Sequence, residues 1–233
     1  MIERDANKVP HENESRPLFQ NRRIAVLISG RGSNLQSILE AVGARQLDAT
    51  VSVVLSNRPE AQGLRRASDA GIETVCLEAR GYATRDAYDR AIADLLLARG
   101  VELVCLAGFM RLVGAPLLEA FANRVLNIHP SLLPAFPGLH AQRQAIIYGV
   151  RVAGATVHLV TAELDGGPIV CQACVPVFDD DTEDTLAARV LVEEHRIYPE
   201  AIELVLDGAW ILEGRRFVIT SSSVRPSSRS SQT

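Results

Sequence analysis

Asn127 and His129 stand two residues apart in LNIHPSLLP, where an apolar run ends and Pro130 interrupts further strand pairing. In an extended strand this spacing puts both side chains on one face, about 7 Å apart. A carboxamide N–H can polarise a carbonyl that is becoming an oxyanion, and an imidazole exchanges protons near neutral pH. Asp165, in ELDGGP, offers a carboxylate that could orient the imidazole and favour its protonated form. The same residue also reads as an ordinary Asp-Gly turn position. His158, alone inside TVHLV, reads as a structural histidine.

Other chemistries fit these residues less well. His129, His140 and Asp165 could gather around zinc, but their spacing matches no strong metal motif, and no metal is expected. A serine hydrolase using Ser131 lacks the G-x-S-x-G elbow. Cys171 and Cys174 form a CxxC inside the β-like run PIVCQACVPVF, where residues three apart point to opposite faces. With Cys76 and Cys105 in separate strand-like runs, all four read as buried, reduced thiols of a reducing compartment.

A second constellation, SGRGSNL at 29–35, follows the first apolar run and opens a helix. Glycines there allow a tight turn, and the exposed N–H groups of a helix start can hold an anion. The dinucleotide fingerprint fails twice, because Leu35 stands where its third glycine belongs and Asn57 where its ribose-binding acid belongs. The loop suits a terminal phosphate, cradled by Gly32, Ser33 and Asn34, though the same residues also read as an ordinary βα turn.

The elements that must position these groups alternate along the chain. Strands are expected at 23–29, 51–56, 73–77, 101–108 and 124–129, and helices at 34–45, near 60–70 and at 85–99. The near-continuous hydrophobicity of the strands requires cover on both faces. After residue 150, GATVHLVTAE and PIVCQACVPVF read as an antiparallel pair joined through LDGG. A long helix follows over about 182–206, capped by Asp181 or Thr182, and 209–219 reads as a small final hairpin. The expected fold class is α/β: a single-domain, Rossmann-like open sheet, mostly parallel with helices on both faces, and an antiparallel C-terminal part. If the strands are parallel, the 30–34 loop and the Asn-x-His strand end face one crevice.

The domain is expected over residues 22–220, flanked by disordered tails at 1–21 and 221–233, the latter rich in Ser and Arg. A chain of 233 residues, 47% hydrophobic and 22% charged, suits one soluble domain with a sizeable core. The net charge of −4 offers no broad basic field for nucleic acid, although Arg22-Arg23 and Arg65-Arg66 are local clusters. No apolar span is long enough for a bilayer, and the mixed-charge N-terminus lacks a signal-peptide pattern. A cytoplasmic protein, monomer or homodimer, is expected.

VLISGRGSNLQ, LAGFMRLV, LNIHPSLLPAFPGLHA, VHLVTAELDGGPI and EEHRIYP together resemble the folate-dependent phosphoribosylglycinamide formyltransferases of purine synthesis, over about residues 23–208. The resemblance implies the formyltransferase fold and transfer of a formyl group from 10-formyltetrahydrofolate to the amine of glycinamide ribotide. Formyl-folate is then a co-substrate, with no tightly bound cofactor. It also implies catalysis by Asn127, His129 and Asp165, with the ribotide held by Gly32, Ser33, Asn34 and Glu194. The folate positions it implies are Arg85, Met110, Arg111, Leu112, Val113, Asn127, Thr161, Ala162, Glu163, Leu164 and Asp165.

Three rivals share parts of this pattern. Formyltetrahydrofolate deformylases use a similar trio but carry an N-terminal regulatory domain, for which about 22 polar residues leave no room. Methionyl-tRNA formyltransferases add a C-terminal domain that the Ser-rich end cannot replace. A non-catalytic nucleotide-binding module would leave Asn127, His129 and Asp165 without a shared task.

Overall fold

The computed structural model describes residues 19–220. In chain order the elements are β1 (Arg23–Ile28), α1 (Ser33–Gly43), β2 (Thr50–Ser56), α2 (Gln62–Asp69), β3 (Thr74–Cys76), α3 (Arg85–Ala98), β4 (Leu103–Leu106) and α4 (Ala115–Ala120). They continue with β5 (Val125–His129), α5 (Ala141–Tyr148), β6 (Val152–Leu159), β7 (Ile169–Pro176), α6 (Glu183–Leu206), β8 (Trp210–Glu213) and β9 (Arg216–Ile219). Among the described residues, no helix is long and apolar enough to cross a membrane.

The strands form one sheet in the order β3-β2-β1-β4-β5-β6-β7-β9-β8. Neighbours from β3 to β5 pair in parallel, whereas β6 runs antiparallel to both β5 and β7. The crossovers reverse direction at β1 and β4, so a crevice opens beyond the carboxyl ends of those strands.

The expected double cover is visible along β1. Ile24, Val26 and Ile28 enter a core shared with α1 and α6, while Ala25 and Leu27 enter a second core with α3 and α4. Both faces of that strand are buried, which explains why it shows no polar alternation. At the other end of the sheet only one face of β7 is covered: Ala173 and Val175 pack into the α6-side core, and Gln172 and Cys174 point outward.

Helix α6 begins where its sequence demands. Thr182 accepts from the Thr185 amide at 3.2 Å, and the Thr185 hydroxyl accepts from the Thr182 amide at 2.9 Å, a capping box that satisfies two otherwise unpaired donors. Deeper along the helix, the buried Tyr198 hydroxyl donates to the carbonyls of Leu106 at 2.8 Å and Leu126 at 3.3 Å. This pins α6 behind β4 and β5. Glu194, one turn earlier on the same helix face, is thereby aimed at the crevice.

Several boundaries differ from those read in the sequence. The strand expected over 101–108 ends at Leu106, because the backbone turns at Gly108 with φ 74°. Helices α4 and α5 have no counterpart in the sequence reading; each is short, six and eight residues, so periodicity has too little length to register. Residues 19–21, placed with the N-terminal tail, are held: Phe19 is buried, and the Gln20 and Asn21 amides donate to Glu102 at 2.9 and 3.0 Å. Residues 1–18 and the Ser/Arg segment 221–233 lie outside the described residues.

Gly154 sets the packing of the antiparallel end, since a Cβ there would lie 2.0 Å from the Ala173 carbonyl oxygen on β7. Gly154→Ala is expected to destabilise the fold by about 1–3 kcal/mol, the usual cost of overpacking, as a lower urea midpoint. A midpoint equal to the parent's would show that β6 and β7 separate there at no cost.

Candidate active site

The sheet register brings the chemistry together. Leu27 of β1, Leu106 of β4 and Asn127 of β5 lie in one row across three parallel strands, and His158 of β6 stands directly opposite Asn127. Two residues further along, Ser29, Gly108 and His129 leave the sheet at the same edge. Loops 29–33, 107–114 and 130–140 therefore line one crevice, as the parallel reading required.

His129 is buried, with acceptors on both sides of its ring. Its Nε2 lies 3.0 Å from the Phe136 carbonyl oxygen and its Nδ1 lies 3.5 Å from Asp165 Oδ2. A carbonyl only accepts, so Nε2 carries a proton. Asp165 is itself fixed: its Oδ2 accepts from the Gly138 amide at 2.7 Å, and its backbone sits in the left-handed region at φ 49°, a conformation aspartate tolerates better than most residues. The turn reading and the catalytic reading of Asp165 are thus compatible, because the turn is what points the carboxylate inward. Gly167 completes that turn; a Cβ there would meet the Leu159 carbonyl oxygen at 1.7 Å.

His158, read in the sequence as a structural histidine, is buried with both ring nitrogens partnered, one of them by Asn127. Its Nδ1 donates to the Leu159 carbonyl at 3.1 Å, which leaves Nε2 as an acceptor for the Asn127 carboxamide N–H at 3.1 Å. That bond fixes which end of the Asn127 amide is nitrogen and leaves its second N–H free. Burial pushes the His158 imidazole below its ordinary pKa, against the opposing pull of the Leu159 carbonyl and Asp165, so the ring stays neutral as this bond requires. Its functional signal was hidden in the sequence, since only the β5–β6 register places it against Asn127.

At the other side of the crevice, Gly32 caps α1 with φ 73°, and a Cβ there would lie 2.7 Å from Gly63 Cα. Glycine is required at position 32 on both counts. The Gly63 amide donates to the Gly30 carbonyl at 3.1 Å, and Arg66 Nε donates to the Arg31 carbonyl at 3.0 Å, so α2 holds the loop from outside. The first-turn amides of α1, from Ser33 onward, have no earlier helical carbonyl to bind and are free to meet an anion. Asn34 is buried; its Nδ2 donates to Glu194 Oε2 at 2.7 Å while its Oδ1 lacks a partner. Burial raises the Glu194 pKa, opposed by the Asn34 hydrogen bond and by the charge of His129. The phosphate-loop end and the Asn-x-His end of the crevice are therefore electrostatically in contact.

Residues singled out for folate lie on two loops. Met110 and Leu112 are exposed, whereas the Val113 side chain is buried in the α3–α4 core. Helix α3 holds this loop. Buried Asp89 accepts from the Gly114 amide at 2.7 Å and lies 3.7 Å from Arg85 Nε, and the Arg111 guanidinium lies 5.0 Å above the Tyr88 ring. Thr161, Ala162, Glu163 and Leu164 form an exposed loop after β6. Arg215, in the β8–β9 turn, reaches it: Nη1 pairs with Glu163 Oε2 at 3.3 Å and Nη2 donates to the Gly166 carbonyl. The final hairpin thus braces the loop that carries Asp165.

The groups that could have served rival chemistries are engaged elsewhere. Ser131 Oγ donates to the Ala135 carbonyl at 2.6 Å and helps shape the loop after His129. His140 lies apart from Asp165, as the left-handed residue that starts α5, with Nδ1 3.8 Å from Glu183. Among the described residues, no group of three or more His, Cys, Asp or Glu is arranged to hold a metal ion. All four cysteines are free, but the expected burial fails at Cys76 and Cys174. Cys76 ends the edge strand β3, and Cys174 lies on the uncovered face of β7.

The chain belongs to the Formyl transferase family, which it matches over residues 22–202. It is 48% identical over 201 residues to phosphoribosylglycinamide formyltransferase of Escherichia coli (strain K12), covering 83% of this chain and 94% of that protein. Glycinamide ribonucleotide transformylase 1 from Symbiobacterium toebii superposes with a TM-score of 0.84 at 56% identity, covering 85% of this chain and 94% of that one. A formyltetrahydrofolate deformylase from Pseudomonas syringae pv. tomato is more distant, at 26% identity and a TM-score of 0.79, covering 88% of this chain and 67% of that one.

The raised Glu194 pKa has a consequence for stability. Because the folded carboxyl holds its proton to higher pH than the unfolded one, its contribution is lost as pH rises from the ordinary glutamate value of 4.5 through the raised folded pKa. Glu194→Gln, which keeps an acceptor for Asn34, should therefore melt above the parent at pH 8, with the difference fading toward pH 4. A parent that melts higher at pH 8 would contradict a net burial cost.

Proposed function

We propose that this formyltransferase passes the formyl group of 10-formyltetrahydrofolate to the amine of 5-phosphoribosylglycinamide, with Asn127, His129 and Asp165 as its catalytic groups. The observation that carries this reading is the polarity of the Asn127 amide. With His158 accepting one N–H, the other has no partner among the described residues and is available to a carbonyl oxygen that gains charge.

In the first step the neutral amine attacks the formyl carbon; a C–N bond forms and the carbonyl π electrons move onto oxygen. Asn127 N–H and protonated His129 stabilise that oxyanion. A proton then passes from the attacking nitrogen to the folate N10, the oxyanion collapses, and the C–N10 bond breaks to give N-formylglycinamide ribotide and tetrahydrofolate. Asp165, 3.5 Å from His129 Nδ1, orients the ring and can hold a water in the proton path.

Gly32, Ser33 and Asn34 bind the ribotide phosphate through first-turn amides and the Ser33 hydroxyl, and Glu194 meets the ribose or glycinamide portion. Arg85, Met110–Val113 and Thr161–Leu164 hold the folate, which enters and leaves as co-substrate rather than as a tightly bound cofactor.

Tetrahydrofolate formation is expected to depend on added glycinamide ribotide; turnover at the same rate without it would make the chain a deformylase, and no turnover in either case would make it a binding module. Asp165→Asn should lower kcat by about 10²-fold or more with ribotide affinity nearly unchanged. Full kcat in that variant would remove Asp165 from the mechanism.

A further inference from the structure

Asn57 stands where a dinucleotide-binding fold would place an acid for the ribose, and the formyl-transfer chemistry gives it no task. Its side chain is turned instead toward the switch point between β1 and β4. Asn57 Oδ1 accepts from the Ser29 hydroxyl at 2.5 Å, and Ser29 Oγ in turn accepts from the Met110 amide at 2.8 Å. The Ser29 amide also donates to the Gly108 carbonyl at 3.1 Å. Ser29 is buried, and it is the residue immediately before the phosphate loop.

We propose that Ser29 and Asn57 are positioning residues that set the donor-binding loop 108–113 against the phosphate loop. The hydroxyl has one proton, and Asn57 takes it, so the lone pairs of Ser29 Oγ are turned to the Met110 N–H. Without Asn57 the hydroxyl can rotate, and without Ser29 the Met110 amide has no partner at the point where the backbone must turn back over the crevice. Both loops start from the same row of the sheet, where parallel pairing has ended after Leu106, so these two bonds replace the ladder beyond its last rung. The node touches no reacting atom. Its effect is on where Met110 and Leu112, both exposed on this loop, are presented. The inference rests on the reading that this loop binds the formyl donor.

The test is steady-state kinetics of the full chain with each substrate varied. Ser29→Ala is expected to raise KM for formyl-folate about tenfold, the equivalent of one lost hydrogen bond, with kcat within about threefold and ribotide KM unchanged. Asn57→Leu should reproduce that split, and Asn57→Asp, which keeps the acceptor, should restore the parent value. Should Ser29→Ala fail to fold, Asn57→Leu and Asn57→Asp carry the same comparison. Leu112→Asp, on the exposed loop itself, distinguishes donor binding by the loop from its positioning by Ser29 and Asn57. If it leaves the donor KM unchanged, the donor-loop reading fails. If it raises that KM while Ser29→Ala and Asn57→Leu do not, or while they lower melting temperature alone, the positioning role is overturned.

Discussion

The hydrogen bond between Asn127 and His158 depends on a single structural event, the antiparallel docking of β6 alongside the last parallel strand. Side chains directly opposite in such a pair share a face and approach closely. A one-residue slip would send His158 into the opposite core and leave a buried carboxamide without its acceptor. The hydroxyl of Thr156, opposite His129, holds that register from the next rung: it donates to the Ser131 carbonyl at 2.7 Å and accepts from the Leu133 amide at 3.0 Å. The backbone that follows His129 is thus fixed by the same strand that orients Asn127.

Buried polar groups are costly unless paired, and the crevice manages this cost unevenly. Around His129 nearly every polar atom has a partner within the chain, from the Phe136 carbonyl to the Gly138 amide on Asp165. At the start of α1, Asn34 Oδ1 is unpartnered and Glu194 is buried with a raised pKa. The first arrangement holds His129 and Asp165 in fixed positions. The second leaves unsatisfied hydrogen-bonding capacity that a polar substrate can complete.

Support for these groups comes from distant segments. Tyr198 ties α6 to β4 and β5, Asp89 ties α3 to the loop before α4, and Arg215 ties the final hairpin to the Asp165 loop. The Glu163–Arg215 pair is exposed and worth little by itself. Its value lies in geometry, because it acts on a backbone already turned by Asp165 and Gly167. The hairpin thereby reaches the site although it follows the family match.

The sequence by itself determined the local facts: parallel strands from unbroken apolar runs, a helix start at Asp181 or Thr182, the shared face of Asn127 and His129, and a glycine-bearing turn into α1 that lacks the dinucleotide fingerprint. These rest on interactions within a few residues of chain, where periodicity, glycine content and capping chemistry act directly. Helices α4 and α5 were too short to show a period, and the exposure of Cys76 and Cys174 followed from which sheet faces lack cover. The partnership of His158 with Asn127, of Asn57 with Ser29 and of Asn34 with Glu194 was decided only by tertiary structure. Those contacts join residues 31, 28 and 160 positions apart, and strand register and helix docking alone bring them within hydrogen-bonding reach.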